Sequence, residues 1–150
     1  MIGDLISRIE RLEEIVSNML RVGTVSSLMP DKGIARVEIH DADGLVSYDL
    51  PILYPKTQDD KYYWMPDIGE HVVCVFLPSG FEQGFIIGSI YSEIDKVPVT
   101  DRDKAHIKFS DGTTIEYDRK IHKLEVNCVG EVVVKSATHI QAFAPRIDMN

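Results

Sequence analysis

The sequence predicts a mainly β protein that begins with one amphipathic helix. Two patterns in its 150 residues indicate this fold class. The first is an apolar heptad repeat near the start, and the second is a series of short alternating runs, separated by turn residues, from about residue 22 onward. Hydrophobic residues make up 44% of the chain and charged residues 27%, which is typical of an ordered, soluble protein. The length allows one medium domain or two small ones that need outside support.

The N-terminal repeat predicts a helix over residues 1–21. Apolar residues recur at alternating spacings of three and four, and charged residues fill most of the places between them. This is the a/d seam of a coiled coil, which favours partner helices. An amphipathic helix packed on its own domain is the alternative. The seam residues, which we predict to form an interface between chains, are Ile2, Leu5, Ile9, Leu12, Val16 and Met19.

Residues 22–92 read as five or six short strands. Turn residues stand at 30–33, 41–44 and 67–70, and the apolar runs between them are short. Strands of this number and spacing predict an OB-like Greek-key barrel. The predicted strands begin at residue 22 and continue at residues 34–39, 45–53, 72–77 and 84–91.

Residues 93–104 lose the apolar alternation and are predicted to be a linker, after which residues 105–150 return to short strands. Asp111 and Gly112 form a strong hairpin-turn dipeptide between two of these strands. About fifty such residues cannot bury a sufficient core alone, so they need the barrel or copies of themselves. Because the N-terminal helix favours self-association, we expect copies of the same chain to cover residues 105–150. Both cysteines, Cys74 and Cys128, lie in apolar alternation, and we expect them to be reduced and buried.

The net charge of −8 lies almost wholly in the middle of the chain. Residues 41–98 hold ten acidic residues against three lysines, whereas the segments before and after them are nearly balanced. An acidic middle domain repels a nucleic-acid backbone, so the composition argues against a nucleic-acid partner. Charged residues interrupt the N-terminus, and no apolar run is long enough to span a membrane. We therefore expect synthesis and folding in the cytoplasm.

The sequence offers no catalytic constellation. The five histidines show no metal-ligand spacing, Ser79 does not lie in a nucleophile elbow, and no glycine-rich nucleotide motif occurs. The aromatic cluster of Tyr62, Tyr63 and Trp64 fits core or interface packing better than stacking of bases or sugars, since little positive charge accompanies it. We predict no catalytic residue, no cofactor-binding residue, no metal ligand and no cofactor, and hence a protein that is not an enzyme.

Three stretches of the chain resemble the baseplate assembly protein V family, the central spikes of contractile-tailed phages, to which the spikes of type VI secretion systems are related. Residues 65–80 and 84–91 read MPDIGEHVVCVFLPSG and GFIIGSIY, and they look like the barrel of that family. Residues 109–118 read FSDGTTIEYD, which looks like the start of its triple-stranded β-helix. The order of helix, barrel, linker and β-helix covers essentially the whole chain.

The resemblance implies a homotrimer at the centre of the baseplate, under the tail tube. The helix would be a trimeric coiled coil, and residues 105–150 an intertwined β-helix needle that points at the host envelope and contacts it transiently. The implied partners are tail tube, hub and baseplate proteins, and the implied location is the virion tail or an equivalent particle. The β-helix residues expected at the trimer interface are Ile115, Leu124, Val126, Val132, Val134 and Ile140.

The chain departs from the family pattern in the needle. Some members end in an apex where an HxH pair from each chain binds iron, whereas here His139 is followed by Ile140 and Gln141. The chain also ends soon afterwards, at Asn150, so we expect a separate tip protein on the C-terminal end. The short linker leaves no room for the lysozyme domain of some relatives. A soluble OB-fold module that binds single-stranded nucleic acid or an oligosaccharide is the alternative function.

Overall fold

A computed structural model describes residues 1–78 and 82–149, so Ser79 and Gly80 of the barrel motif and the terminal Asn150 lie outside the described residues. The chain divides into two compact units, one over residues 1–96 and one from residue 97 onward. The elements of the first unit are the helix α1 (Ile2–Met19) and the strands β1 (Leu20–Met29), β2 (Ile34–Ile39), β3 (Leu50–Pro51), β4 (His71–Phe76) and β5 (Gly84–Ser89). The second unit contains β6 (Lys104–Lys108), β7 (Thr114–Asp118) and β8 (Lys123–Asn127).

The N-terminal helix predicted from the heptad repeat is confirmed. Leu, Arg and Glu, all good helix formers, supply seven of its 18 residues. At Leu20 the backbone turns directly to extended geometry, with φ −118° and ψ 118°, so β1 begins without an intervening loop. The helix contacts β1 and β4, and none of its residues is buried.

The first unit is built around a five-stranded, nearly closed sheet in the order β3-β2-β1-β4-β5. The long β1 pairs in antiparallel fashion with both β2 and β4, and β4 pairs with β5. The two edges meet where Ile52, just after β3, forms a parallel bridge to Ile86 of β5. The amide of Leu53 donates to the carbonyl oxygen of Ile86 at 2.9 Å across the same seam. The expected mainly β class and barrel-like sheet are therefore confirmed.

One face of the sheet supplies the core. Strand alternation directs every second side chain inward, as the pattern of β4 shows, where buried and half-buried residues alternate. Gly23 is required where β1 crosses this interior, because a Cβ there would stand 2.3 Å from Val37 Cγ1 and 2.5 Å from the Glu38 carbonyl oxygen. The buried apolar residues are Val25, Ala35, Val37, Ile39, Leu50, Val72, Cys74, Phe76 and Ile86.

The strand predicted over residues 45–53 is shorter than expected. Only Leu50–Pro51 is a strand, and Val46 contributes an isolated bridge to Glu38. The buried Ser47 explains the interruption, because its hydroxyl accepts from the Val37 amide at 3.0 Å and donates to the Tyr48 carbonyl at 2.8 Å. A side chain thus takes a place in the strand ladder, and Pro51 has no amide with which to extend it.

The second unit is an antiparallel meander in the order β6-β7-β8. Its first turn is the predicted one, with Gly112 at φ 94° and the Asp111 carboxylate accepting from the Thr113 amide at 2.8 Å. The described residues 128–149 form no strand in the single chain, although alternation predicts strands near residues 132–134 and 140–144. Strands of a triple-stranded β-helix pair between chains, so the intertwined needle stays a prediction.

The two cysteines differ. Cys74 is buried in the barrel core as expected, and burial raises the pKa of its thiol to about 11. Cys128 is exposed, so the expectation of burial is wrong for this residue in the single chain. It follows β8, where no other part of the described chain covers it. Among the described residues, no helix is long and apolar enough to cross a membrane.

Candidate functional site

The most prominent surface of the first unit is the apolar seam of α1. Its six heptad residues are between 44% and 75% exposed, although they are large and hydrophobic. Only Ile15 and Asn18 of the helix are partly covered. The helix therefore does not bury its seam on its own domain, which removes the intramolecular alternative. The exposed seam residues are Ile2, Leu5, Ile9, Leu12, Val16 and Met19.

The second unit has an apolar face of the same kind on its three-stranded sheet. Residues that lie directly opposite one another in a sheet point to the same side, and Ile115 lies opposite both Ile107 and Val126. Tyr117 lies opposite Ala105 and Leu124 in the same way. Among the described residues from 97 to 149 none is buried, so this face has no cover within its own unit. We call it the apolar sheet face; its residues are Ala105, Ile107, Ile115, Tyr117, Leu124 and Val126.

The opposite side of this sheet carries a charged network. The Glu116 carboxylate bonds Lys104 Nζ at 2.8 Å and His106 Nδ1 at 2.7 Å. Two hydrogen bonds hold the pKa of Glu116 below its usual range, and the bond from Lys104 has a larger effect than the bond from His106. The hydrogen bond between Lys104 and Glu116 also raises the pKa of Lys104. Lys123 pairs with Glu125 beside it, and that bond lowers the pKa of Glu125.

The residues predicted for the β-helix interface fall into two groups. Ile115, Leu124 and Val126 lie together on the apolar sheet face. Val132, Val134 and Ile140 lie outside the strands and are 58–71% exposed. The prediction omitted Ile107 and Tyr117, which share the face with Ile115. The hairpin turn at Asp111-Gly112 was the signal that could have found them, because it fixes the register that sets Ile107 opposite Ile115.

The structure brings two histidines together that lie far apart in the sequence. His40 and His71 pack edge to face with ring centroids 5.2 Å apart, and the side chains of His40 and Thr24 are hydrogen-bonded at 2.8 Å. His71 Nδ1 lies 4.0 Å from the Asp95 carboxylate. Across residues 1–78 and 82–149, no group of three or more His, Cys, Asp or Glu side chains is placed to hold a metal ion.

The aromatic cluster lies on the barrel surface. Tyr62, Tyr63 and Trp64 are each 63–65% exposed, so the core part of the packing prediction is wrong. They occupy the loop between β3 and β4, in which Lys56 pairs with Asp60 at 2.7 Å. The Tyr63 hydroxyl donates to the Pro30 carbonyl at 3.3 Å and ties this loop to the turn after β1. Interface packing by the cluster stays a prediction.

The described chain thus combines a small β-barrel with exposed apolar surfaces on α1 and on the three-stranded sheet. No family model matches the chain. Among curated proteins, it is similar to the Spike protein of Escherichia phage P2, with 26% identity over 140 residues that make up 93% of this chain. The chain spans 65% of the length of that relative. The expected resemblance to the phage spike proteins is thereby confirmed.

Proposed function

We propose that this chain is the central spike of a contractile-tail baseplate and acts as a rigid structural part, not as an enzyme. The observation that carries the proposal is the similarity to a phage Spike protein over nearly the whole chain. A spike role assigns the chain to the virion tail baseplate or to an equivalent contractile particle, assembled in the bacterial cytoplasm. It also agrees with the low positive charge of the barrel, since the spike's partners are proteins and not nucleic acid.

The spike is a homotrimer, and the seam of α1 is its first contact between chains. A helix of 18 residues is about 27 Å long. Along that length the six seam residues are exposed, and nothing else in the described chain covers them. Ile or Val at a positions with Leu or Met at d positions suits a parallel coiled coil and by itself favours two strands, so the number of three chains comes from the expected spike symmetry and not from the seam.

The apolar sheet face is the second contact between chains. Large apolar residues such as Leu124, 68% exposed, and Val126, 57% exposed, repeat on one side of a sheet too small to cover them. Three copies around an axis bring these sides together and leave the Lys104–Glu116 network on the outside. Residues 128–149, with Val132, Val134 and Ile140, then complete the β-helix needle by pairing between chains, because their backbone groups have no strand partners within one chain.

The barrel is of the OB type. β1 pairs with both β2 and β4, and the closing contact between the segment after β3 and β5 is parallel. This connectivity agrees with a five-stranded Greek-key barrel. In a spike, such a barrel is the body that tail tube, hub and baseplate proteins hold. The needle contacts the host envelope transiently, and a separate tip protein on its end stays a prediction.

A soluble OB-fold module for single-stranded nucleic acid or an oligosaccharide is the weaker reading. Its supporting observation is the exposed aromatic cluster. Two features oppose it: the ion pair with Asp60 engages Lys56, and residues 41–98 carry a strong acidic excess. Electrostatic attraction to phosphates supplies most non-specific nucleic-acid affinity, and this surface lacks it.

Light scattering on the purified chain tests the proposal. We expect a molar mass three times the 16.9 kDa of one chain. A monodisperse monomer at micromolar concentration would contradict the spike assignment. Binding of single-stranded DNA at low salt by that monomer would support the alternative.

A further inference from the structure

The barrel carries an apolar patch on its outside, separate from its core. In β4 the inward residues are Val72, Cys74 and Phe76, yet the outward residues after His71, Val73 and Val75, are also apolar. The outward apolar residues continue onto the two strands that pair with β4. Val75 lies opposite Leu20 of β1 on one side and opposite Phe85 of β5 on the other. We call this the outer barrel patch; its residues are Leu20, Val22, Val73, Val75, Phe85 and Ile87.

The rest of the barrel surface shows that such a patch is not a general property of the fold. On β2, which pairs with the other side of β1, the outward residues are the half-buried Ile34 and the exposed, charged Arg36 and Glu38. Arg36 makes an exposed ion pair with Asp49 at 2.7 Å. By contrast, Leu20 is 60% exposed and Phe85 and Ile87 are each 43% exposed, and no patch residue is charged. The other three patch residues, Val22, Val73 and Val75, are half-buried. A contiguous apolar surface of this kind marks an interaction site.

The position of the patch indicates what covers it. Met19 is the last residue of the α1 seam, and Leu20, the first residue of β1, belongs to the patch. Because no loop separates them, chains that associate along the seam bring the Leu20 ends of their barrels close to the same axis. The nearest barrel surface to that axis is therefore the outer barrel patch.

We propose that the outer barrel patch packs against a second copy of this chain, so that the barrels contact one another directly within the assembly. The inference rests on the trimer of the proposed function and adds a barrel interface to it. In a cyclic trimer each contact joins two different parts of the surface, so each patch meets a neighbouring barrel and not only its own counterpart.

Thiol labelling of the full-length chain tests this contact. We would place a single cysteine in the patch as Phe85→Cys and a matched cysteine on the polar outer surface as Glu38→Cys, each with Cys128→Ser. Cys74 stays unreactive because it is buried and its thiol pKa is raised to about 11. Light scattering and circular dichroism on the same samples report assembly and folding.

In a folded trimer we expect maleimide to modify the cysteine at position 85 about tenfold or more slowly than the cysteine at position 38, with equal rates in urea. Adding the assembly-breaking Ile115→Asp should abolish the difference, since the patch is exposed in the single chain. Ile87→Cys serves as a second probe if the Phe85 variant does not fold. A trimer in which both patch positions react as fast as position 38 overturns this inference and leaves the spike assignment intact. A monomer overturns both.

Discussion

The barrel and the three-stranded sheet use the same sequence pattern and reach opposite results. In β2, alternation places Ala35, Val37 and Ile39 in the interior, and all three are fully or almost fully buried. In β7 and β8, alternation places apolar residues on one side equally well, and none of them is buried. Alternation therefore determines which side chains share a face. Whether the same chain covers that face depends on how many strands can close around it.

The sheet of the second unit covers its polar side better than its apolar side. The side chains of His106 and Glu116 are 12% and 23% exposed, whereas Leu124 is 68% exposed. A monomer arranged in this way leaves hydrophobic surface in water, at roughly 25 cal/mol for each Å². The barrel covers its core within one chain, whereas the sheet leaves its apolar face exposed.

The largest expected effect comes from placing a charge on the apolar sheet face. Ile115→Asp should abolish the trimer at micromolar concentration, because three unpaired carboxylates would be buried together, each at a cost on the order of 3 kcal/mol or more. Light scattering measures the loss. Thr114→Asp, one residue away on the polar side, is the control and should remain trimeric. Equal behaviour of the two variants would show that this face is not an interface.

A cavity in the barrel should lower stability without the loss of assembly specific to the sheet. Phe76 is 2% exposed, so Phe76→Ala should lower the free energy of unfolding of the barrel by about 3–5 kcal/mol. Chemical denaturation followed by Trp64 fluorescence measures it. Ile68→Ala, at a residue 66% exposed, should change it by less than about 1 kcal/mol. Similar losses in both variants would contradict the core described above.

Removing α1 should have a smaller effect than changing the sheet. The helix buries no residue, so deletion of residues 2–19 should leave the barrel folded. We expect the shortened chain to remain trimeric through residues 97–149, with weaker association on dilution. Size-exclusion chromatography with light scattering distinguishes the outcomes. Monomers after this deletion, together with trimers after removal of residues 97–149, would assign assembly to the coiled coil instead.

The smallest expected effect concerns the Glu116 network. Because its pKa is lowered in the folded state, Glu116 stabilises the fold above the usual carboxyl pKa of about 4.3, and this contribution is lost as the pH falls through the lowered value. The raised pKa of Lys104 preserves the pair up to alkaline pH. Glu116→Gln should therefore lower Tm slightly near pH 7 and not near pH 2. An equal difference in Tm at both pH values would indicate a cause other than the charge.

Local chemistry made several elements predictable. The Asp111-Gly112 dipeptide requires a tight turn with positive φ, and the heptad repeat has one helical reading, so hairpin and helix follow from sequence. The short β3 does not follow, because it depends on the Ser47 hydroxyl meeting a backbone amide of another strand. The contact of His40 with His71 could not be predicted from the sequence either, because it forms only when β1 pairs with β2 on one side and β4 on the other.

The candidate surfaces were predictable to a similar extent. Spacing predicted which apolar residues α1 exposes, and three of the six residues predicted for the β-helix lie on the apolar sheet face. Their role as interfaces stays a prediction. The outer barrel patch was not predictable from the sequence, because Val73 and Val75 lie in a continuous apolar run in which inward and outward positions look alike. Only the observed register shows that they face away from the core, together with Leu20 and Phe85.

The direct passage from α1 into β1 at Leu20 has a mechanical consequence. Each helical residue turns the chain by about 100°, so the azimuth of the seam is locked to that of the barrel with no flexible hinge to absorb a mismatch. One residue inserted at this junction would rotate the seam by that angle and misalign the two parts. Rotation of the helix is therefore passed directly to β1 at Leu20, because no loop separates the two elements.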